Sequence, residues 1–177
     1  MPVFQRLHLR PASSYFTLNR GQLFQRRVRT MATKEQLQTL RNYTACDISD
    51  ALLKLKVPNC GFLPDLILYT PLAASQTSQV LVAPASTVLF APKSATDLSS
   101  YPPANIPAGK HYVDLTEPDT IVVISQPKGQ ICAVLGGIMA LRIKVLKAKG
   151  VVVHGRVRDV EELALTGLPV STAPCSE

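Results

Sequence analysis

The chain has 177 residues, of which 46% are hydrophobic and 18% charged, with a formal net charge of +7. That length suits one domain, and that composition excludes a disordered chain. No apolar run approaches the length a membrane span needs, so a soluble protein without membrane contact is expected.

The positive charge is concentrated at the start. Arg6, Arg10, Arg20, Arg26, Arg27, Arg29 and Lys34 precede the first acid, Glu35. Of the 19 basic residues, these seven leave 12 to balance the 12 acids of the body. A near-neutral body gives no reason to expect nucleic acid as a partner. Residues 1–33 therefore read as a basic leader and 34–177 as the domain. Arginine without acid, interleaved with Phe4, Leu7, Leu9, Phe16, Leu18, Leu23 and Phe24, is the pattern of a mitochondrial transit peptide. A mitochondrial matrix protein is the expectation, with a cytoplasmic one as the alternative. A disordered basic tail, or a working start at Met31, explains the same residues. Cys46, Cys60, Cys132 and Cys175 form no C-x-x-C pair, and read as reduced thiols of an intracellular protein.

Along the body, Lys34 to Tyr43 reads as a helix. Thr44 with Asp47 three residues on is an N-cap with an acidic reach-back, opening a second helix that presents Ile48, Ala51, Leu52 and Leu55 on one side. Val57-Pro58 and Cys60-Gly61 end it. Leu66 to Tyr69, Val80 to Ala83 and Thr87 to Ala91 read as short strands. Asp97 to Gly109, rich in Ser, Pro and Ala, reads as a loop.

The last third is the most informative. Ile121 to Ser125 is a β-branched apolar strand, and QPKGQ follows as a loop. The run GGIMALRIKVLKAKG reads as a helix with Ile138, Leu141, Val145 and Ala148 on one face, ended by Gly150. Val151 to Val153 is a second buried strand, followed by HGRVRD and a helix from Val160. A strand–helix–strand unit of this kind requires parallel strands and a right-handed crossover. Ligands in such sheets sit beyond the carboxyl ends of the strands, where GGIM and GRVRD lie.

Each loop has a functional and a bland reading. Gly136 and Gly137 let a carboxylate approach the amides of Gly137, Ile138 and Met139 at a helix N-terminus. Equally, glycine pairs serve tight turns and close packing. Arg158 beside Asp159 pairs a fixed cation with a hard oxygen ligand of the kind that holds Mg²⁺. Equally, Asp159 could cap the helix from Val160.

The segment QPKGQICAVLGGIMALRIKVLKAKGVVVHGRVRDVEEL resembles the core of the RraA-like family, which includes 4-hydroxy-4-methyl-2-oxoglutarate aldolases, oxaloacetate decarboxylases and ribonuclease regulators. TACDISDALLKL, VLVAPASTVLFAPK and YVDLTEPDTIVVI support it, and the likeness runs from about Tyr43 to Val170. It implies a layered α/β domain of sandwich or barrel character, the strand–helix–strand unit carrying the site. It implies trimers or hexamers, with sites between subunits. For the chemistry, it implies a lyase dependent on Mg²⁺ or Mn²⁺ and acting on small 2-oxo acids. The amides of Gly136 to Met139 bind the substrate carboxylate, Arg158 the oxo oxygen and Asp159 the metal.

Three departures qualify this. Gly137 stands where the family often has an acid used in proton handling, so oxaloacetate decarboxylation is expected to survive better than aldol cleavage. His154 stands where the strand often ends in Asp. Relatives continue past the end of the LPV match, so the domain is expected to be incomplete at its C-terminal end. A non-catalytic, protein-binding regulator and an inactive truncated copy are the alternatives.

Overall fold

In a computed structural model the described residues are 7–10, 32–61, 63–69, 80–92, 99 and 101–173. They form β1 (Leu7–Arg10), α1 (Lys34–Leu40), α2 (Ala45–Lys54), β2 (Ile67–Leu68), β3 (Ala85–Phe90), β4 (Ile121–Ser125), α3 (Gly137–Val145), β5 (Gly150–His154), α4 (Val160–Thr166) and β6 (Val170–Ala173). Short 3₁₀ turns occupy Pro58–Gly61 and Tyr112–Leu115.

One six-stranded sheet results, in the order β1-β3-β4-β5-β6-β2. The four central strands are parallel, and each edge strand is antiparallel to its neighbour. β-branched runs explain the centre. In IVVIS and GVVVH, Val122, Ile124, Val151 and Val153 are buried on one face, where Val88, Phe90 and Val170 join them. α3 packs against α4 and against the Tyr112–Leu115 turn. From these, Ala140, Ile143, Leu163, Tyr112 and Val113 complete the core. The sandwich or barrel character implied by the resemblance is absent among the described residues, which make a single open sheet.

Several expectations hold closely. Ile121–Ser125 is the strand read from its β-branched run, and α3 joins two parallel strands. Thr44 accepts a bond from the Asp47 amide at 3.2 Å while Asp47 Oδ2 accepts from the Thr44 amide at 2.8 Å. The hydroxyl–carboxylate bond at 2.7 Å closes the cap and holds the Asp47 carboxyl below the usual aspartate range.

Others need correction. The inward face of α3 is Gly137, Ala140 and Ile143, whereas Ile138 is 82%, Val145 61% and Leu141 52% exposed. Apolar residues run around the whole helix, so periodicity alone could not choose a face. Gly137 and Ala140, with little side chain, let α3 approach α4 closely, and Ile143 fills the core beside them. Ile48 and Leu52 of α2 are half-buried, but Ala51 and Leu55 are exposed. Val80 to Ala83 joins no ladder; Pro84, lacking an amide hydrogen, separates it from β3. β6 and the Tyr112–Leu115 turn are not predicted from the sequence.

Part of the basic leader belongs to the sheet. Leu7–Arg10 pairs antiparallel with β3, Leu7 opposite Phe90 and Arg10 opposite Thr87. Residues 1–6 and 11–31 of the leader, which carry most of the pattern read as an import signal, lie outside the described residues. So do Asp97 and Leu98 at the start of the long loop, of which 101–109 carries no helix or strand.

Candidate functional site

The two distinctive loops come together beyond the carboxyl ends of β4 and β5. After β4, the chain reaches Val134 and Leu135; after β5, it reaches Arg156 to Arg158. A parallel bridge joins Leu135 to Val157. The Val134 amide donates to Arg156 O at 2.8 Å, and the Arg158 amide to Leu135 O at 3.0 Å. This short ladder continues the β4–β5 pairing past the strands and sets the glycine pair beside Arg158 and Asp159.

The glycines serve close approach rather than an unusual backbone. Gly136 is extended, with φ −137° and ψ 178°, and Gly137 opens α3. A Cβ on Gly136 would lie 2.8 Å from Asp159 Oδ2 and 3.2 Å from Arg158 Nε. A Cβ on Gly137 would lie 2.5 Å from Glu162 Cβ, with Glu162 Oε2 nearer still. The side chains of Arg158 and Asp159 in the second loop and of Glu162 on α4 therefore occupy the space that the two glycines vacate. The Ala140 amide is the first to bond within α3, to Gly136 O at 3.0 Å. The amides of Gly137, Ile138 and Met139 are therefore outside the helical ladder, at its positive end.

Asp159 stands at the N-cap position of α4, but its side chain makes no capping bond. Its backbone is left-handed, φ 58° and ψ 48°. An aspartate tolerates this conformation at a cost of about 1–2 kcal/mol. The carboxylate, spent on no cap, lies 3.6 Å from Arg158 Nε and remains 39% exposed. Among the described residues no group of three His, Cys, Asp or Glu converges. A zinc site with three protein ligands is thus not built among them. A carboxylate that makes no capping bond suits a hard cation that takes water and substrate oxygens for its other positions.

Of the residues singled out in the sequence, Gly136, Gly137, Arg158 and Asp159 converge. Ile138 points to solvent and Met139 packs against the core, so these two can contribute only their amides. Arg158 also lines an open groove of about 500 Å³ with Arg156, Tyr69, Thr172 and Ile131. His154 ends β5 and is exposed.

Three residues that the sequence did not single out hold or complete the arrangement. Tyr112, buried, donates its hydroxyl to Val134 O at 2.6 Å, and burial pushes its phenol well above the usual range. Gln126, also buried, donates to Cys132 O at 2.7 Å and accepts from the Arg156 amide at 2.9 Å, clamping one loop to the other. Glu162 covers Gly137. Elsewhere Arg142 reaches Asp114 at 3.1 Å and Lys144 reaches Thr166 O, pinning α3 on both sides.

Comparison with known proteins bears on the fold and the family. Protein DlpA of Legionella pneumophila is 33% identical over 138 residues, covering 76% of this chain and 20% of the Legionella protein. An uncharacterised protein from Pseudomonas syringae has a similar fold, with a TM-score of 0.59 at 23% identity, covering 81% of this chain and 57% of that one. RraAS2 of Streptomyces coelicolor, described as an unusual member of the RNase ES inhibitor RraA protein family, gives 0.59 at 20% identity, covering 80% and 66%. The chain thus spans about a fifth of the length of its curated relative and just over half that of the Pseudomonas structure. A family model described as Aldolase/RraA matches residues 45–176, from α2 past the end of β6, and the chain belongs to the RraA-like family.

Proposed function

We propose that this chain is a lyase, dependent on Mg²⁺ or Mn²⁺, that breaks carbon–carbon bonds in small 2-oxo acids. The reactions are decarboxylation of oxaloacetate and aldol cleavage of 4-hydroxy-4-methyl-2-oxoglutarate. The observation that carries this reading is the convergence of Arg158, an uncapped Asp159 and the open amides of α3 on one glycine pair.

In this reading the amides of Gly137, Ile138 and Met139 bind the substrate carboxylate. Arg158 donates to the 2-oxo oxygen and stabilises the charge that gathers there as the bond breaks. Asp159 holds the cation, which when bound supplies Lewis-acid polarisation of the oxo group. Gln126 and Tyr112 keep the two loops in register so that donors and carboxylate face the same atoms.

RraA-like proteins commonly form oligomers or bind other proteins. The exposed apolar face of α3, Ile138, Leu141 and Val145, supports assembly with further copies, as a trimer or hexamer. The same face is what favours the second reading, a protein-binding regulator without catalysis. The basic leader is proposed to direct import into mitochondria, tested by fusing it to a fluorescent reporter.

Pyruvate release from both substrates, with Mn²⁺ and after chelation, tests the lyase reading. Turnover that depends on the cation is expected. No turnover on either substrate, or full turnover in excess chelator, overturns it.

A further inference from the structure

One edge of the sheet is closed by a segment far from the domain in sequence. β1 lies along β3 with Leu7 opposite Phe90 and Arg10 opposite Thr87, and it also packs on the Tyr112–Leu115 turn. Arg10 stands 24 positions before Lys34, the start of α1. β1 is four residues long and basic, reading LHLR directly after Arg6. Short length and positive charge both keep a sheet edge from pairing with another chain. β3 beneath it has neither. Ala85–Phe90 reads ASTVLF, six residues without charge, and Pro84 and Pro92 stand outside the strand. Its other side is held by parallel pairing with β4 from Ala85 to Leu89, so its place in the sheet does not come from β1.

Without β1, such a strand presents a row of unpaired N–H and C=O groups, a template for a further strand. We propose that the outer edge of β3 is an interaction surface for a second copy of this chain, and that β1 covers it. The direction of pairing selects that partner. β1 shows that the edge takes an antiparallel strand, and two β3 strands laid antiparallel are related by a two-fold axis. The contact is isologous and closes on itself, so its product is a dimer with one sheet running through both copies, not a fibre. Tethering decides which state is populated. A strand carried on the same chain competes at an effective concentration on the order of millimolar, far above that of a second copy in dilute solution. β1 therefore wins while it is present, and the edge opens when residues 7–10 are unpaired or removed. Removal of the leader on import would take β1 with it, but the surface exists whether or not the leader is an address.

The test uses the full chain. Successive N–H groups of a strand point to opposite sides, so one of His8 and Leu9 donates towards β3. His8→Pro with Leu9→Pro removes that donor whichever it is. Light scattering reads mass at rising concentration, and amide exchange reads protection across Ala85–Phe90. At high concentration the proline variant should reach twice the native mass. Its β3 amides should exchange several-fold faster than native when dilute and regain protection when concentrated. Adding Leu89→Lys, a charge on the opened edge, should return the mass to native and leave those amides exposed. A proline variant with native mass and native protection would show that β1 does not cover the edge. Native mass with β3 amides open at every concentration would show that the edge takes no second copy. A mass gain that Leu89→Lys leaves in place would put the contact elsewhere. His8→Gly with Leu9→Gly weakens β1 without removing a donor and should give the same effects to a smaller extent. Unfolding of both variants would make β1 a structural support and overturn the proposal.

Discussion

Replacing Gly137 with alanine sets two known effects against each other. In a helix interior, alanine for glycine stabilises by up to about 1 kcal/mol. Gly137 opens α3, where that gain is smaller. Against it stands a new Cβ at 2.5 Å from Glu162 Cβ. Carbon atoms in contact prefer about 3.5–4.0 Å, so the shortfall is about 1 Å or more. The Glu162 carboxylate could swing into solvent, but its Cβ moves only with α4. Overpacking of this kind costs typically about 1–3 kcal/mol. The collision wins, and a net loss of about 1–2 kcal/mol is expected. Urea unfolding of the native and variant chains measures it, and pyruvate release should fall as α4 shifts Asp159. A variant that gains stability and keeps its turnover would show that Glu162 does not lie over Gly137.

Arg158→Lys should lower turnover on both substrates about 10²- to 10³-fold, because a point charge does not reproduce a planar fork of donors; unchanged kcat would remove Arg158 from the chemistry. Tyr112→Phe withdraws the buried hydroxyl from Val134 O and should cost about 1–2 kcal/mol in urea unfolding, with an unaffected midpoint counting against the anchoring role. The Asp114 carboxyl is held below its ordinary 3.8, chiefly by the His111 amide and then by Arg142, so the folded state favours its ionised form. That contribution is present above 3.8 and is lost as pH falls through the lower folded value. Asp114→Asn should therefore lose less stability than the native chain between neutral pH and pH about 3, and parallel declines would contradict it.

What could be read from the sequence was whatever depends on neighbours along the chain. The Thr44–Asp47 cap, the β-branched run Ile121–Ser125 and the parallel pairing of β4 with β5 follow from local chemistry and a connection rule. That rule also brought Gly136, Gly137, Arg158 and Asp159 to the same end of the sheet. Which face of α3 turns inward depended instead on what α4 would allow. Gly137, Ala140 and Ile143 turn inward while Ile138, Leu141 and Val145 stay exposed, a choice set by how α3 packs on α4 and not by residue size. β6, reading VSTA after Pro169, is too short and too mildly apolar to stand out, and it is a strand because β5 offers an edge. The pairing of leader residues Leu7–Arg10 with β3 was invisible in a segment that spoke mainly through its arginines. Tyr112, Gln126 and Glu162 have partners 22, 30 and 25 positions away in the chain (Val134, Arg156 and Gly137), so nothing local marked them.

The central claim is that Asp159, left uncapped, holds the cation on which carbon–carbon cleavage depends. Pyruvate release from oxaloacetate by the native chain and by Asp159→Ala, at the same Mn²⁺ concentration and with the uncatalysed rate subtracted, tests it most directly. Losing a Lewis acid worth several kcal/mol predicts a fall of at least about a hundredfold in the variant, with its fold intact. An Asp159→Ala chain that turns over at the native rate would contradict the account.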